Sequence, residues 1–450
     1  MKELPIGIQS IEKILGHGNC VYIDKTPFAY QLIRGVIPHY FLSRPRRFGK
    51  SLFLDTLAEI FKGNKELFRD CAIYQTDYDW QPYPVLSLSL SGLDTTTPAT
   101  LKKGLTEALE DSAALYGLTV SGSSLQSQLK RLITAMAKQA PVAVLIDEYD
   151  APITAHLDNA EIAQANRAVL RDFFGTLKNL ERSIKFTFIT GISRFSRVSL
   201  FSEANHLKDI TMHPDYAAIA GYTETELRQA FEEHIQAIAR GRGVSENEIL
   251  AEIKEWYNGY RFSRAATCVY NPFSTLNYMD EKEPKGYWYT TGTPTFLLHE
   301  IQKQPQITTE LSGINIPETQ LSDSRSPEDL NLPALMFQTG YLTIKDWAWD
   351  ETLEETVFSL DFPNKEVYKA FFQSLLREFG KVAPQEISSM ALQLRAAMEA
   401  LDMADVVQIL NIQLAKIPYD AFQHTKEGFY QAMLLLCFEI SGLKTFGEVH

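Results

Sequence analysis

The sequence predicts a three-layer α/β fold in which helices cover both faces of a parallel β-sheet. Short apolar, β-rich runs at residues 38–43, 84–90 and 142–146 are separated by long segments with helical periodicity, and a fourth run follows at 185–190. Strands that alternate with helices in this way form parallel sheets with helices on both faces. We expect this α/β domain to cover residues 1–220.

Beyond this domain the sequence predicts amphipathic helices. Residues 224–238 and 246–256 have helical periodicity, and a further helix is expected to begin near Pro272. Residues 304–333 are polar and rich in Ser, Thr, Pro and Asp, which predicts a loop-rich connection. We therefore expect a helical lid or subdomain, with its connection, over residues 221–330.

The next part of the chain begins with a predicted hairpin. Two β-prone runs at 341–347 and 357–362 are separated by acidic residues. Helices are expected to follow the hairpin, and we expect residues 331–415 to form a winged-helix-like unit.

Composition limits the class of protein. The chain has 450 residues, of which 45% are hydrophobic and 22% charged, as in soluble multidomain proteins. Its apolar stretches are too short to span a membrane, and its first residues lack the pattern of a secretory signal, so we expect a cytoplasmic protein without a membrane partner.

The four cysteines are scattered singly, which predicts buried free thiols. A net charge of −13 disfavours nucleic-acid binding, although a local basic patch could still bind phosphates.

The segment after the first predicted strand resembles a P-loop. Gly49, Lys50 and Ser51 precede a helical run at 52–61. In a P-loop, backbone N–H groups surround the phosphates, the lysine contacts the β and γ phosphates, and the serine hydroxyl binds Mg²⁺. Arg44 stands where the first glycine is usual, so the alternative is a basic loop before an ordinary helix. The predicted nucleotide-binding residues are Arg46, Arg47, Phe48, Gly49, Lys50 and Ser51.

A second predicted strand ends in Asp147 and Glu148. An aspartate at this place holds the Mg²⁺ shell in P-loop enzymes, so Ser51 and Asp147 are the predicted metal ligands. Glu148 is then placed to polarise the attacking water as a general base. The alternative is a solvated acidic turn after the strand. Asp150 is expected to be structural.

The fourth predicted strand ends at Thr190, our candidate for a γ-phosphate sensor. Arg194 and Arg197 follow it. Either arginine could stabilise the transferring phosphoryl group, in cis or across a subunit interface, which leaves an oligomer as an open hypothesis. Solvated surface arginines are an equal alternative. The predicted catalytic residues are therefore Glu148, Thr190 and Arg194.

Together these segments resemble the AAA-ATPase-like family of bacterial and archaeal proteins, whose members commonly carry a C-terminal nuclease domain of the PD-(D/E)XK type. The resemblance covers nearly the whole chain. In this family the P-loop characteristically contains an arginine, so the resemblance implies that Arg44 is compatible with nucleotide binding. The resemblance to the family rests on residues 22–26, 44–51, 145–150, 190–195, 221–223, 256–262, 270–273, 287–294 and 338–344.

The resemblance also implies that residues 416–450 are the start of a nuclease-like domain. In relatives the following stretch carries the Asp of the metal site and a Glu-x-Lys pair, and this sequence places no such partners beside Glu427 and Glu448. Metal-dependent phosphodiester cleavage needs clustered carboxylates. We expect no nuclease activity from this chain.

The leading hypothesis is ATP binding and hydrolysis with Mg²⁺, coupled to conformational change and linked to nucleic-acid processing or defence. One alternative is a nucleotide-gated regulatory or interaction module with little turnover. Another is a truncated form of an ATPase-nuclease.

Overall fold

The computed structural model describes residues 1–194, 207–288, 297, 313–322, 331–380, 383–415, 434, 437, 438 and 440–442. Within these residues, no helix combines the length and the apolar character that crossing a membrane requires. All four cysteines are free thiols. Cys71 and Cys437 are buried, whereas the prediction of burial is wrong for Cys20 and Cys268, which are partly exposed.

A five-stranded parallel sheet forms the centre of the N-terminal half. Its strands are β1 (His39–Ser43), β2 (Val85–Ser89), β3 (Val142–Asp147), β4 (Ile184–Gly191) and β5 (Lys208–Asp209). The strand order is β2-β3-β4-β1-β5, so β4 lies between β1 and β3. The four predicted strands are confirmed, and the near-continuous burial of β1, β3 and β4 is typical of a sheet covered on both faces. The short β5 was not predicted, because two residues carry too little pattern.

Seven α-helices among the described residues flank this sheet, in agreement with the predicted α/β fold. They are α1 (Ile11–Gly16), α2 (Thr26–Ile33), α3 (Lys50–Phe61), α4 (Pro98–Ala114), α5 (Leu125–Met136), α6 (Ala151–Thr154) and α7 (Ala160–Gly175). Helix α3 packs its aromatic side chains on β4, with ring centroids 5.5 Å apart for Phe53 and Phe188 and 5.0 Å apart for Phe61 and Phe186. Single-turn and longer 3₁₀ segments cover Lys65–Phe68, Ala72–Gln75, Thr176–Ser183 and Pro214–Tyr216.

Further helices follow around a second hydrophobic cluster. In the described part of the chain they are α8 (Glu224–Ala230), α9 (Glu232–Arg242), α10 (Glu246–Tyr257) and α11 (Pro272–Glu281). The prediction of one helix over 224–238 is wrong, since the backbone leaves helical geometry at Phe231 (φ −113°, ψ 15°). Phe231 is fully buried in the second cluster, and this tertiary packing outweighs local helix propensity.

The C-terminal half contains a three-stranded antiparallel sheet. Its strands are β6 (Ile314–Pro317), β7 (Thr343–Asp350) and β8 (Glu355–Asp361), in the order β6-β8-β7. The pairing of β7 with β8 confirms the predicted hairpin. The prediction of a loop-rich connection is wrong at β6 and at α12 (Glu318–Ser322), where pairing with β8 orders a polar stretch. The later helices are α13 (Leu332–Thr339), α14 (Lys365–Gly380), α15 (Pro384–Glu399) and α16 (Met403–Ala415).

One hydrophobic core runs through both halves of the molecule. It includes Phe41 and Phe188 of the parallel sheet, Phe262, and Phe337 and Phe371 of the C-terminal half. The predicted domain boundaries near 220 and 330 and the winged-helix-like assignment remain predictions. The nuclease-like segment at 416–450 lies almost entirely outside the described residues.

Candidate nucleotide-binding site

The loop between β1 and α3 carries the P-loop segment, residues 44–51. Gly49 has φ +89°, a left-handed conformation that favours glycine, and it forms the N-cap of α3. No side chain caps this helix, so its first N–H groups remain available to an anion. Lys50 and Ser51 are its first two residues, two positions earlier than the helix start predicted from the sequence.

The carboxyl ends of the parallel strands β1 and β3 bring the predicted metal ligands together. The Asp147 carboxylate interacts with the Ser51 side chain and accepts a 2.9 Å hydrogen bond from the backbone N–H of Glu148. Burial raises the pKa of Asp147, while Ser51 and the charge of Lys50 partly oppose this rise. Glu148 has φ +48°, a backbone conformation that is strained for residues other than glycine and is typical of functional sites.

The ammonium group of Lys50 lies near Asp147 and Glu148 and is almost fully buried. Its Nζ donates to the carbonyl oxygens of Arg44 and Pro45, at 2.9 Å each. Burial lowers the pKa of Lys50, and the nearby charges of Asp147, Glu148 and Asp150 oppose that shift. The structure therefore brings Lys50, Ser51, Asp147 and Glu148 close together, and their roles in binding and catalysis remain predictions.

Arg44, at the position of the usual first glycine, points into the protein. Its guanidinium donates to the carbonyl oxygens of Thr211 at 2.7 Å and Tyr216 at 3.2 Å, and it stacks over the ring of Phe262 at 4.3 Å. Burial lowers the pKa of Arg44 to about 9, despite the favourable charge of Asp209. This arginine therefore anchors the start of the P-loop segment to the protein interior.

The other P-loop residues divide between the cavity and the core. The guanidinium of Arg47, a residue with φ +67°, stacks over Phe273 at 4.9 Å. Phe48 is buried edge-on against Tyr260 and Phe262, with centroids 4.7 and 5.6 Å apart. A role of Phe48 in binding nucleotide would therefore use its backbone.

The other predicted catalytic residues lie at and beyond the end of β4, the strand next to β3. The backbone carbonyl of Thr190 accepts a 3.1 Å hydrogen bond from the N–H of Tyr149, the residue after Glu148. Thr190 is fully buried within β4, beside Leu42 of β1. The Arg194 guanidinium forms an ion pair with Asp209 at 2.7 Å, and its backbone N–H donates to Gln338. Arg197 lies outside the described residues. The sensor and phosphoryl-stabilising roles remain predictions, and Arg194 would have to leave Asp209 to contact phosphate.

Asp150 has the structural role expected of it. Its buried carboxylate accepts hydrogen bonds from the backbone N–H groups of Ile192 and Ser193 and from the Ser193 hydroxyl at 2.5 Å. Burial raises the pKa of Asp150, and these hydrogen bonds oppose the rise. The contact joins the turn after β3 to the segment after β4.

A cavity of about 480 Å³ adjoins the P-loop segment. Within it, Lys25 forms a 2.7 Å ion pair with Glu226 at the start of α8 and also donates to the carbonyl of Ala218. Sequence reasoning missed this part of the site, although Lys25 lies within one of the segments that resemble the family. The lining comes from stretches within residues 5–25, 46–56, 219–222 and 272–276, with Ser91 and Glu148.

The oxygen donors present suit Mg²⁺ bound together with a nucleotide. Mg²⁺ commonly takes one or two protein oxygens and completes its shell with water and phosphate. The Ser51 hydroxyl and the Asp147 carboxylate are adjacent and supply such a pair. Among the described residues, no group of three or more His, Cys, Asp or Glu side chains could hold a metal ion by itself.

Comparison with known proteins agrees with this geometry. The family described as predicted AAA-ATPases matches residues 5–201, which include the P-loop segment, Asp147 and Glu148. A relative from Azotobacter chroococcum mcd 1, described as an uncharacterized protein in the vnfD 5′ region, is 36% identical over 449 residues. That match covers 98% of this chain and 84% of the relative. The chain belongs to the AAA-ATPase-like family of predicted AAA-ATPases.

Proposed function

We propose that the chain binds ATP with Mg²⁺ at the P-loop segment and hydrolyses it. The observation that carries this proposal is the meeting of Lys50, Ser51, Asp147 and Glu148 at the carboxyl ends of β1 and β3, beside an uncapped helix N-terminus. In phosphoryl transfer, Lys50 would place positive charge beside the β and γ phosphates, and Ser51 and Asp147 would supply two oxygen ligands for Mg²⁺. Glu148 would act as a base near the attacking water.

We further propose that the base and ribose occupy the adjoining cavity. Its volume of about 480 Å³ is within the range of small-molecule sites. It is lined by Val21, Tyr22 and Phe273 as well as by the P-loop segment, so apolar surface lies next to the proposed phosphate site. Lys25 lines this cavity, and its ion pair with Glu226 joins the N-terminal segment to α8.

Hydrolysis is the step assigned to Glu148. Glu148 directly follows β3 with a strained backbone, and it lines the cavity. In this proposal Glu148 accepts a proton from the attacking water, while Mg²⁺ supplies charge neutralisation on the phosphates when bound. A second candidate is a nucleotide-gated module with little turnover, which the ion pair of Arg194 with Asp209 favours. Adding DNA to the turnover assay tests a link to nucleic-acid processing.

Binding of MgATP by calorimetry tests the site itself. We predict that Lys50→Ala weakens MgATP binding by roughly 100-fold, because a charged group facing the phosphates is lost from a largely dry site. The matched control is Lys130→Ala, on the exposed surface of α5, which should bind as the wild type does. Equal affinity in the Lys50→Ala variant and the wild type would refute the assignment of this site.

A further inference from the structure

One carbonyl group of the P-loop segment is held by a residue far away in the sequence. The indole Nε1 of Trp288 donates to the carbonyl oxygen of Arg46 at 3.2 Å. Arg46 to Ser51 line the cavity, whereas Trp288 is not part of that lining. The Arg46 carbonyl therefore points toward Trp288, on the side of the loop away from the cavity.

Trp288 is in turn held in place by the C-terminal half. Its backbone N–H donates to Glu366 of α14 at 2.7 Å, and the other oxygen of the same carboxylate accepts from Ser274 of α11 at 2.8 Å. The indole ring packs edge-on against Tyr341, with centroids 5.3 Å apart. Trp288 is only 6% exposed, so its ring has little freedom to turn.

The hydrogen bond to Arg46 determines the direction of the next N–H group. The carbonyl of Arg46 and the N–H of Arg47 belong to one planar trans peptide, so they point in opposite directions. When Trp288 holds the carbonyl on one side, the Arg47 N–H faces the other side. An N–H group attracts a phosphate, whereas a carbonyl oxygen turned the same way would repel it.

The backbone on the other side of this peptide is strained. Arg47 has φ +67°, a conformation that is strained for any residue other than glycine. Position 47 is variable in the usual P-loop pattern, and in this segment the positive φ falls on an arginine. A hydrogen bond from outside the loop would hold the peptide in the strained arrangement.

We propose that Trp288 is a positioning residue for phosphate binding, which orients the Arg46–Arg47 peptide so that the Arg47 N–H faces the nucleotide. The proposal rests on the proposed nucleotide site. It adds that the phosphate site is incomplete without a residue from the C-terminal half of the chain.

The test is the change Trp288→Phe, which removes the indole N–H and keeps an aromatic ring against Tyr341. Calorimetry would compare binding of MgATP and of adenosine, which has no phosphate. We expect MgATP affinity to fall roughly fivefold to tenfold, as for the loss of one hydrogen bond, with adenosine affinity unchanged. Trp349→Phe, on the exposed part of β7, is the control and should change neither affinity.

Three other results would contradict the proposal. Unchanged MgATP affinity would show that the hydrogen bond has no role, and equal losses for MgATP and adenosine would show a merely structural role. If the wild type binds adenosine and MgATP equally or not at all, the proposed phosphate site fails, and this inference fails with it. Should Trp288→Phe not fold, site-specific replacement by benzothienylalanine removes the same N–H at nearly constant shape, and the same outcomes apply.

Discussion

At the scale of single residues, Arg44 is a buried charge that stabilises a loop. Its guanidinium contacts the carbonyls of Thr211 and Tyr216 and the ring of Phe262. Hydrogen bonds and contact with an aromatic face offset the cost of burying a cation, and here backbone oxygens pair the two terminal nitrogens of the guanidinium while the Phe262 ring covers its face. Because the side chain points away from the cavity, this arginine takes no space from a nucleotide.

Restoring the usual glycine at this position should therefore harm the protein. We predict that Arg44→Gly lowers the free energy of unfolding by about 3 kcal/mol or more, since it removes several charge-assisted hydrogen bonds and leaves a cavity. Chemical denaturation measures this change. Arg69→Gly, which removes an exposed ion pair with Glu66, is the control and should cost about 1 kcal/mol or less. An Arg44→Gly variant as stable as the wild type would contradict the structural role.

At the scale of elements, the turn after α10 joins the helices to the C-terminal sheet and the P-loop segment. Gly259 has φ +93°, and a Cβ atom at this position would collide with the carbonyl oxygen of Pro363. The next residue, Tyr260, packs directly against Phe48. The turn therefore supports the floor of the P-loop segment.

A comparison of Gly259 with Gly243 distinguishes the stability cost of a steric clash from that of backbone strain. Gly243 also has a positive φ, +68°, but a Cβ atom at this position would meet no other atom within 4 Å. We predict that Gly243→Ala costs about 1 kcal/mol of stability from strain alone. Gly259→Ala should cost roughly 3 kcal/mol or more, because the Pro363 backbone cannot move aside easily. Similar thermal unfolding of both variants would show that the close approach to Pro363 is not real.

Elements that depend on a local sequence pattern could be predicted, whereas elements that depend on contacts between distant residues could not. The strands from His39 to Gly191 carry long apolar runs, so composition alone located them. The break at Phe231 and the strand β6 depend on contacts with distant residues and leave little local signal. Lys50 and Asp147 were likewise predicted from local motifs. Lys25 and Trp288 were not, because tertiary folding alone brings them to the site.

At the scale of the whole molecule, a buried carboxylate holds the residue that links the C-terminal half to the P-loop segment. Glu366 of α14 accepts hydrogen bonds from Trp288 and Ser274, and burial raises its pKa to about 7. The same Trp288 contacts the P-loop segment. Besides the shared hydrophobic core, Trp288 and Glu366 therefore join the packing of the C-terminal half to the geometry of the proposed phosphate site.

This carboxylate should make stability depend on pH. The folded-state pKa of Glu366 exceeds the ordinary value of 4.5, so its proton is bound more tightly in the folded chain. Its stabilising contribution is therefore present below pH 4.5 and is lost as the pH rises through about 7, by about 3 kcal/mol at most. We predict that the stability of the wild type relative to Glu366→Gln falls between pH 5 and pH 8. A pH-independent difference in denaturation would contradict this role.

Steady-state turnover of MgATP tests whether the site at the ends of β1 and β3 hydrolyses ATP. The proteins compared are the wild type, Glu148→Gln and the exposed control Glu161→Gln on α7. We predict that Glu148→Gln lowers turnover by roughly 100-fold while MgATP binding persists, because a general base is lost. Glu161→Gln should turn over ATP at the wild-type rate. Equal turnover in the Glu148→Gln and Glu161→Gln variants, or MgATP binding by the wild type without measurable hydrolysis, would contradict the claim.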